Sequence, residues 1–156
     1  MLEIGQLAPE FSLPDADMEM VALSDLKAKN HVVLFFYVRD GTPGCTLQAT
    51  DFTDHEREFL QHGCVVVGVS RDDCLKHAEF RDQHGISVRL LSDAEGEVCD
   101  MFGVLNDKEV DGVKRRCVTR STFIIDRQGV VRHVFPAVTP KGHAMEVLRY
   151  VKTLSS

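Results

Sequence analysis

Hydrophobic positions along the chain fall into short blocks whose spacing switches between strand-like and helix-like. Residues 31–37 (HVVLFFY) form a continuous β-branched and aromatic run, the pattern of a strand buried on both faces. Residues 64–69 (CVVVGV) repeat that pattern. Between them, Ala49, Phe52, Glu56, Phe59 and Leu60 recur at three- and four-residue spacing with one charged interruption. That predicts a helix over 46–61, stopped by Gly63. Ser70 and Asp72 are placed to cap a helix over 73–84, ended by Gly85. Residues 86–91 predict a third strand or extended segment, and 94–102 a short helix with Val98, Met101 and Phe102 on one side.

The two ends follow the same logic. Residues 11–13 and 18–23 alternate around Asp15-Ala16-Asp17 and predict a hairpin, after which Ser24 would cap a short helix over 25–28. Residues 106–114 are polar and contain Gly112, so they predict an exposed loop. Residues 117–125 predict one strand, 126–129 a turn, and 130–135 a strand pairing back. Thr139 or Pro140 would open a last helix to about Leu154, with Ala144, Val147, Leu148 and Val151 facing inward. Strands alternating with helices predict an α/β chain, residues 1–156 as one domain. The arrangement resembles the thioredoxin-like plan: a central mixed β-sheet flanked by helices, here with an N-terminal β-hairpin extension.

Composition narrows the function classes. The chain has 156 residues and is 44% hydrophobic, enough for a core without disulfides or metals. Net charge is -6, from 18 basic and 24 acidic residues, which argues against nucleic acid or anionic membranes as main partners. No apolar run approaches the roughly 18–20 residues of a membrane span. The opening MLEIGQLAPEF has no basic segment followed by an apolar core, so a reducing cytoplasm is the expected compartment. There the five cysteines, Cys45, Cys64, Cys74, Cys99 and Cys117, would be thiols. No C-x-x-C pair occurs, and the seven histidines do not cluster with the cysteines, so no metal and no cofactor is expected. His55 and His62 read as solvated, and the acidic residues of 51–58 as a solvated face.

Cys45 is where the chemistry concentrates. It follows a buried strand through a tight loop, which places it at the carboxyl edge of the sheet. It begins a helix, where unpaired N–H groups and the positive end of the dipole favour a thiolate. The alternative is a small buried hydrophobe.

DGTPGCTLQATDF around Cys45 and RSTFIID from Arg120 to Asp126 resemble a peroxiredoxin of the bacterioferritin comigratory protein, or Q-type, subfamily. APEFSLPD, VVGVSRDD and LLSDAEGEVCDMFGV extend the resemblance over nearly the whole chain. It implies a peroxidase in which Cys45 attacks peroxide and becomes a sulfenic acid. It further implies that the Thr42 hydroxyl hydrogen-bonds the peroxide, and that Arg120 holds the thiolate and polarises the peroxide. Taken alone, Arg120 reads as a surface arginine and Thr42 as a turn residue capping the helix. The expected substrates are hydrogen peroxide and organic hydroperoxides, with thioredoxin or another small thiol as reductant. The expected assembly is a monomer or weak homodimer.

Two departures stand out. Val38 occupies the family's proline position, where its methyl groups would shield the sulfur while freeing φ and adding an N–H donor. The positions of a resolving cysteine in related chains are Thr50 and Arg81 here. A one-cysteine route through an external thiol is therefore expected first. Cys74, two helical turns before Arg81, is the internal candidate, and local unfolding would have to bring its Cα within about 7 Å of that of Cys45. Cys64 and Cys99 read as core, and Cys117 as pointing away from Arg120. The rival class is a redox sensor or binding module without turnover.

Overall fold

The structure, a computed structural model, describes residues 1–154. Its centre is β3 (His31–Phe36), whose six residues are all buried. It pairs in parallel with β4 (Cys64–Ser70), which pairs in parallel with β5 (Arg89–Ser92). On its other side it pairs antiparallel with β8 (Ser121–Ile125), which in turn pairs antiparallel with β9 (Val131–Phe135). The sheet order is β5-β4-β3-β8-β9. The short hairpin of β1 (Ser12–Pro14) and β2 (Met20–Ala22) precedes it.

The continuous apolar run of β3 is explained by the two layers it serves. Val33, Phe35 and Tyr37 face one cluster with Ala49, Phe52 and Phe59 of α2 (Pro43–Gln61), Phe80 of α3 (Cys74–His84), and Ala144, Val147, Leu148 and Val151 of α5 (His143–Val151). Val32, Leu34 and Phe36 face the other, with Leu23 of α1 (Leu23–Lys27) and Val98 and Cys99 of α4 (Glu97–Met101). Each fully buried Phe or Leu stabilises by ~1.5–3 kcal/mol, so this alternation is the main energetic reason the layers close.

Four expectations change. Residues 106–114 are not a loop: β6 (Leu105–Val110) and β7 (Val113–Val118) form an antiparallel hairpin. Its turn residues Asp111 and Gly112 have φ of 52° and 78°, the left-handed pair that an Asp-Gly hairpin turn uses. The expected single strand over 117–125 is two strands, interrupted at Thr119 and Arg120. Ser24 is not a cap; α1 begins at Leu23, and the Ser24 N–H donates to Glu10 Oε1 at 3.0 Å. The last helix starts at His143, later than Thr139 or Pro140, after Gly142 at φ 75°.

Candidate active site

The buried strand β3 ends at Phe36, and the chain turns at residues 37–42 into α2. Thr42 is the N-cap, Pro43 the first helical residue, and Cys45 the third. Pro43 suits the first position because its fixed φ fits the helix and its missing N–H would have found no acceptor there. The first intrahelical bond runs from Thr46 N–H to Thr42 O at 2.9 Å. The N–H groups of Gly44 and Cys45 therefore precede the helix's own acceptors and have no intrahelical partner. No acidic residue occurs in this first turn, so nothing there opposes a negative sulfur. Cys45 is 1% exposed.

Thr42 does not cap the helix with its side chain; its hydroxyl donates to Arg39 O at 3.3 Å. Both oxygen lone pairs are thus outside the helix bonding. Arg120 enters from the opposite direction. It lies in the break before β8, where its carbonyl accepts from Val138 N–H at 2.7 Å. Its Nη1 donates to Gln48 Oε1 at 3.2 Å. A Cβ built on Gly44 would meet Nη2 at 3.1 Å and Nη1 at 3.4 Å. The guanidinium thus spans the turn from the residue before Cys45 to the residue one turn after it. Strand pairing explains the meeting, since β8 lies beside β3, which delivers Cys45.

The structure brings Thr42, Cys45 and Arg120 to one helix start beside Gly44, and adds Gln48, which the sequence did not single out. Gln48 is 1% exposed and its Nε2 has no hydrogen-bond partner among the described residues. The signal was present as a polar residue at an inward helical position three after Cys45. Val38 is 41% exposed, so much of its apolar surface faces solvent instead of closing over the sulfur.

The remaining cysteines separate by environment. Burial pushes the Cys64 thiol up to about 12, with the Arg127 charge opposing. Cys99 is pushed higher still by burial and by its neighbour Asp93. Both belong to the core, as expected. Cys74 is half-buried at the start of α3. Because β3 and β4 are adjacent and parallel, Cys45 and Cys74 begin helices leaving the same sheet edge. Cys117 lies on β7 opposite Asn106 and is also half-buried; the interruption of the strand at Thr119 and Arg120 removes the strand parity from which its direction was inferred.

His143 is buried, with Nε2 2.8 Å from Thr122 Oγ1 and Nδ1 2.9 Å from Glu146 Oε1. Asp40, Asp72 and His77 are a group of potential metal ligands among the described residues, with ligand atoms within 4.8 Å of one another. Those atoms already hydrogen-bond one another and their neighbours.

Residues 4–134 match the family model described as AhpC/TSA family. A putative peroxiredoxin bcp of Coxiella burnetii is 42% identical over 147 residues, which is 94% of this chain and 97% of that protein. The peroxidoxin BcpB of Mycobacterium tuberculosis superposes with a TM-score of 0.90 at 34% identity, covering 100% of both chains. The bacterioferritin comigratory protein of Xanthomonas campestris, solved in a study of its alkyl peroxide reduction activity, gives 0.86 at 32%, covering 91% of this chain and 90% of that one.

Proposed function

The chain belongs to the AhpC/TSA family and is a thiol-dependent peroxidase of the peroxiredoxin type, and we propose that Cys45 is its peroxide-reducing residue, served by Thr42 and Arg120. The observation that carries this reading is the Arg120 guanidinium lying against the first turn of α2, between Gly44 and Gln48. A permanent cation and free N–H donors beside a thiol at a helix start favour the thiolate and receive the charge that develops on peroxide oxygen.

The sulfur of Cys45 attacks one oxygen of the peroxide. The S–O bond forms as the O–O bond breaks, and the departing oxygen takes a proton and leaves as water or an alcohol. Sulfur is oxidised by two electrons to the sulfenic acid, and the peroxide is reduced. Arg120 stabilises the negative charge shared by sulfur and the departing oxygen, while the Thr42 hydroxyl orients the peroxide. A reductant thiol then attacks the sulfenic sulfur, water leaves, and a second thiol releases Cys45 with formation of the reductant's disulfide. An external thiol, thioredoxin or a smaller one, is the proposed reductant. The Cys74 route is the internal alternative, favoured by its position on the same sheet edge.

The substrates proposed are hydrogen peroxide and organic hydroperoxides. The chain would work as a single domain in a reducing cytoplasm, as a monomer or weak homodimer. No helix among the described residues is long and apolar enough to cross a membrane. The test is turnover. The protein is expected to consume peroxide in many-fold excess over itself when supplied with thioredoxin or dithiothreitol, and Cys45→Ser to abolish it. Peroxidase activity surviving in Cys45→Ser would overturn the assignment. Oxidation stopping at one equivalent would identify the redox sensor instead.

A further inference from the structure

A second cluster of ionisable groups lies behind the Cys45 loop. Asp40, five residues before Cys45 and two before Thr42, is buried. The Tyr37 hydroxyl donates to its Oδ1 at 2.6 Å, and His77 Nδ1 lies 2.6 Å from its Oδ2. The other ring nitrogen, Nε2, is 2.9 Å from Leu91 O. A carbonyl oxygen only accepts, so Nε2 carries a hydrogen. Nδ1 then either donates to the Asp40 carboxylate or accepts from its protonated form. In both cases one proton is held between His77 and Asp40, in a short hydrogen bond between side chains 0% and 2% exposed.

The loop has a second tie to the same neighbour. The Asp40 backbone N–H donates to Asp72 Oδ2 at 2.7 Å, an oxygen that also accepts from Ser70 Oγ at 2.7 Å. The loop between Tyr37 and Thr42 is thus fastened to the β4–α3 connection through Asp72 and to α3 itself through His77. Within the loop, Gly41 sits at φ 85° with no atom within 4 Å of where a Cβ would be, while Tyr37 and Asp40 on either side of the exposed Val38 and Arg39 are buried.

We propose that His77 is a positioning residue for peroxide reduction, holding the Cys45 loop through its shared proton with Asp40. The inference rests on Cys45 being the peroxide-reducing residue. His77 need not touch substrate. Its Nδ1–Asp40 bond fixes the loop, and its Nε2–Leu91 bond fixes the ring to β5. Shape alone would leave the first bond no special role, so the two nitrogens can be separated experimentally.

Asparagine places an amide N–H near the former Nδ1, and glutamine places one near the former Nε2. The rate of reaction with limiting hydrogen peroxide would be measured for wild type, His77→Asn and His77→Gln by competition with a reference peroxidase, alongside thermal unfolding. His77→Asn is expected to react within about threefold of wild type and His77→Gln at least about tenfold more slowly, a loss within the reach of a sub-ångström misplacement. Equal rates in the two variants, or the reverse order, would overturn the proposal. A measurement on the unaltered protein covers the case in which neither variant folds. The low-field proton resonance shared by His77 and Asp40 is expected to shift or broaden when one equivalent of peroxide oxidises Cys45. A resonance unmoved by that oxidation would also overturn it. Failure of the Cys45 assignment itself would appear separately, as activity retained in Cys45→Ser.

Discussion

The guanidinium of Arg120 rests on the bare Cα of Gly44, so close that a methyl group there would lie 3.1 Å from Nη2, and 3.4 Å from both Nη1 and Pro140 Cγ. A methyl group there would therefore push the cation back by a few tenths of an ångström. Gly44 is the second residue of α2 and does not have a positive φ. Within the helix, alanine is intrinsically preferred to glycine by ~0.5–1 kcal/mol. Gly44→Ala is accordingly expected to unfold at the same temperature or slightly higher, while its reaction with peroxide slows about tenfold because Arg120 is displaced. Thermal unfolding and the peroxide rate, measured on the same sample, check both halves. Lower stability with an unchanged rate would contradict this account.

The fate of oxidised Cys45 separates the two recycling routes. After one equivalent of peroxide without added thiol, mass spectrometry is expected to show one added oxygen on Cys45, trapped by dimedone. Cys74→Ser is expected to give the same adduct and the same turnover with dithiothreitol. Loss of two hydrogens with a Cys45–Cys74 link would establish the internal route, and with it an opening of both helix starts.

Alkaline pH should weaken the fold through Cys64. Its thiol is raised to about 12 in the folded protein from an ordinary value of 9.0, chiefly by burial. Below pH 9 the thiol is neutral whether folded or not, and its contribution is intact. As pH rises from 9 toward 12 the unfolded chain ionises first, so stability falls. Unfolding temperatures across that window should decline, and the decline should be shallower in Cys64→Ala.

On the acid side the corresponding group is His143. Burial lowers its pKa below the ordinary 6.5, with the Glu146 hydrogen bond opposing. Its neutral ring contributes stability above pH 6.5. As pH falls from there through the folded-state value, the unfolded chain takes the proton first and the contribution is lost. Unfolding temperatures between pH 7 and 5 should fall less steeply in His143→Gln than in the wild type. An unchanged slope would remove His143 as the cause.

How much of this was legible in the sequence depends on how local each signal is. β3 and β4 could be read directly because burial on both faces makes nearly every residue apolar. β6 and β7 could not: they are mostly exposed, so no alternation between core and solvent is imposed on them. Only Asp111-Gly112 marked their turn. The break at Thr119 and Arg120 was hidden between residues with strand propensity on both sides, although it is what frees Arg120 to reach α2. Thr42, Cys45 and Arg120, the residues of the proposed site, were singled out from motifs. Gln48 bonds across 72 positions and His77 across 37, and neither separation leaves a trace in local periodicity.

The insertion of β8 beside β3 also orders events in time. Synthesis runs from the N-terminus. Cys45 is therefore made well before Arg120, and until β8 docks, β3 has no antiparallel neighbour and the helix start no cation. A half-made chain carries Cys45 without the Arg120 guanidinium against the first turn of α2. On the proposed assignment of Cys45, full reactivity with peroxide therefore requires the C-terminal third of the protein to have folded.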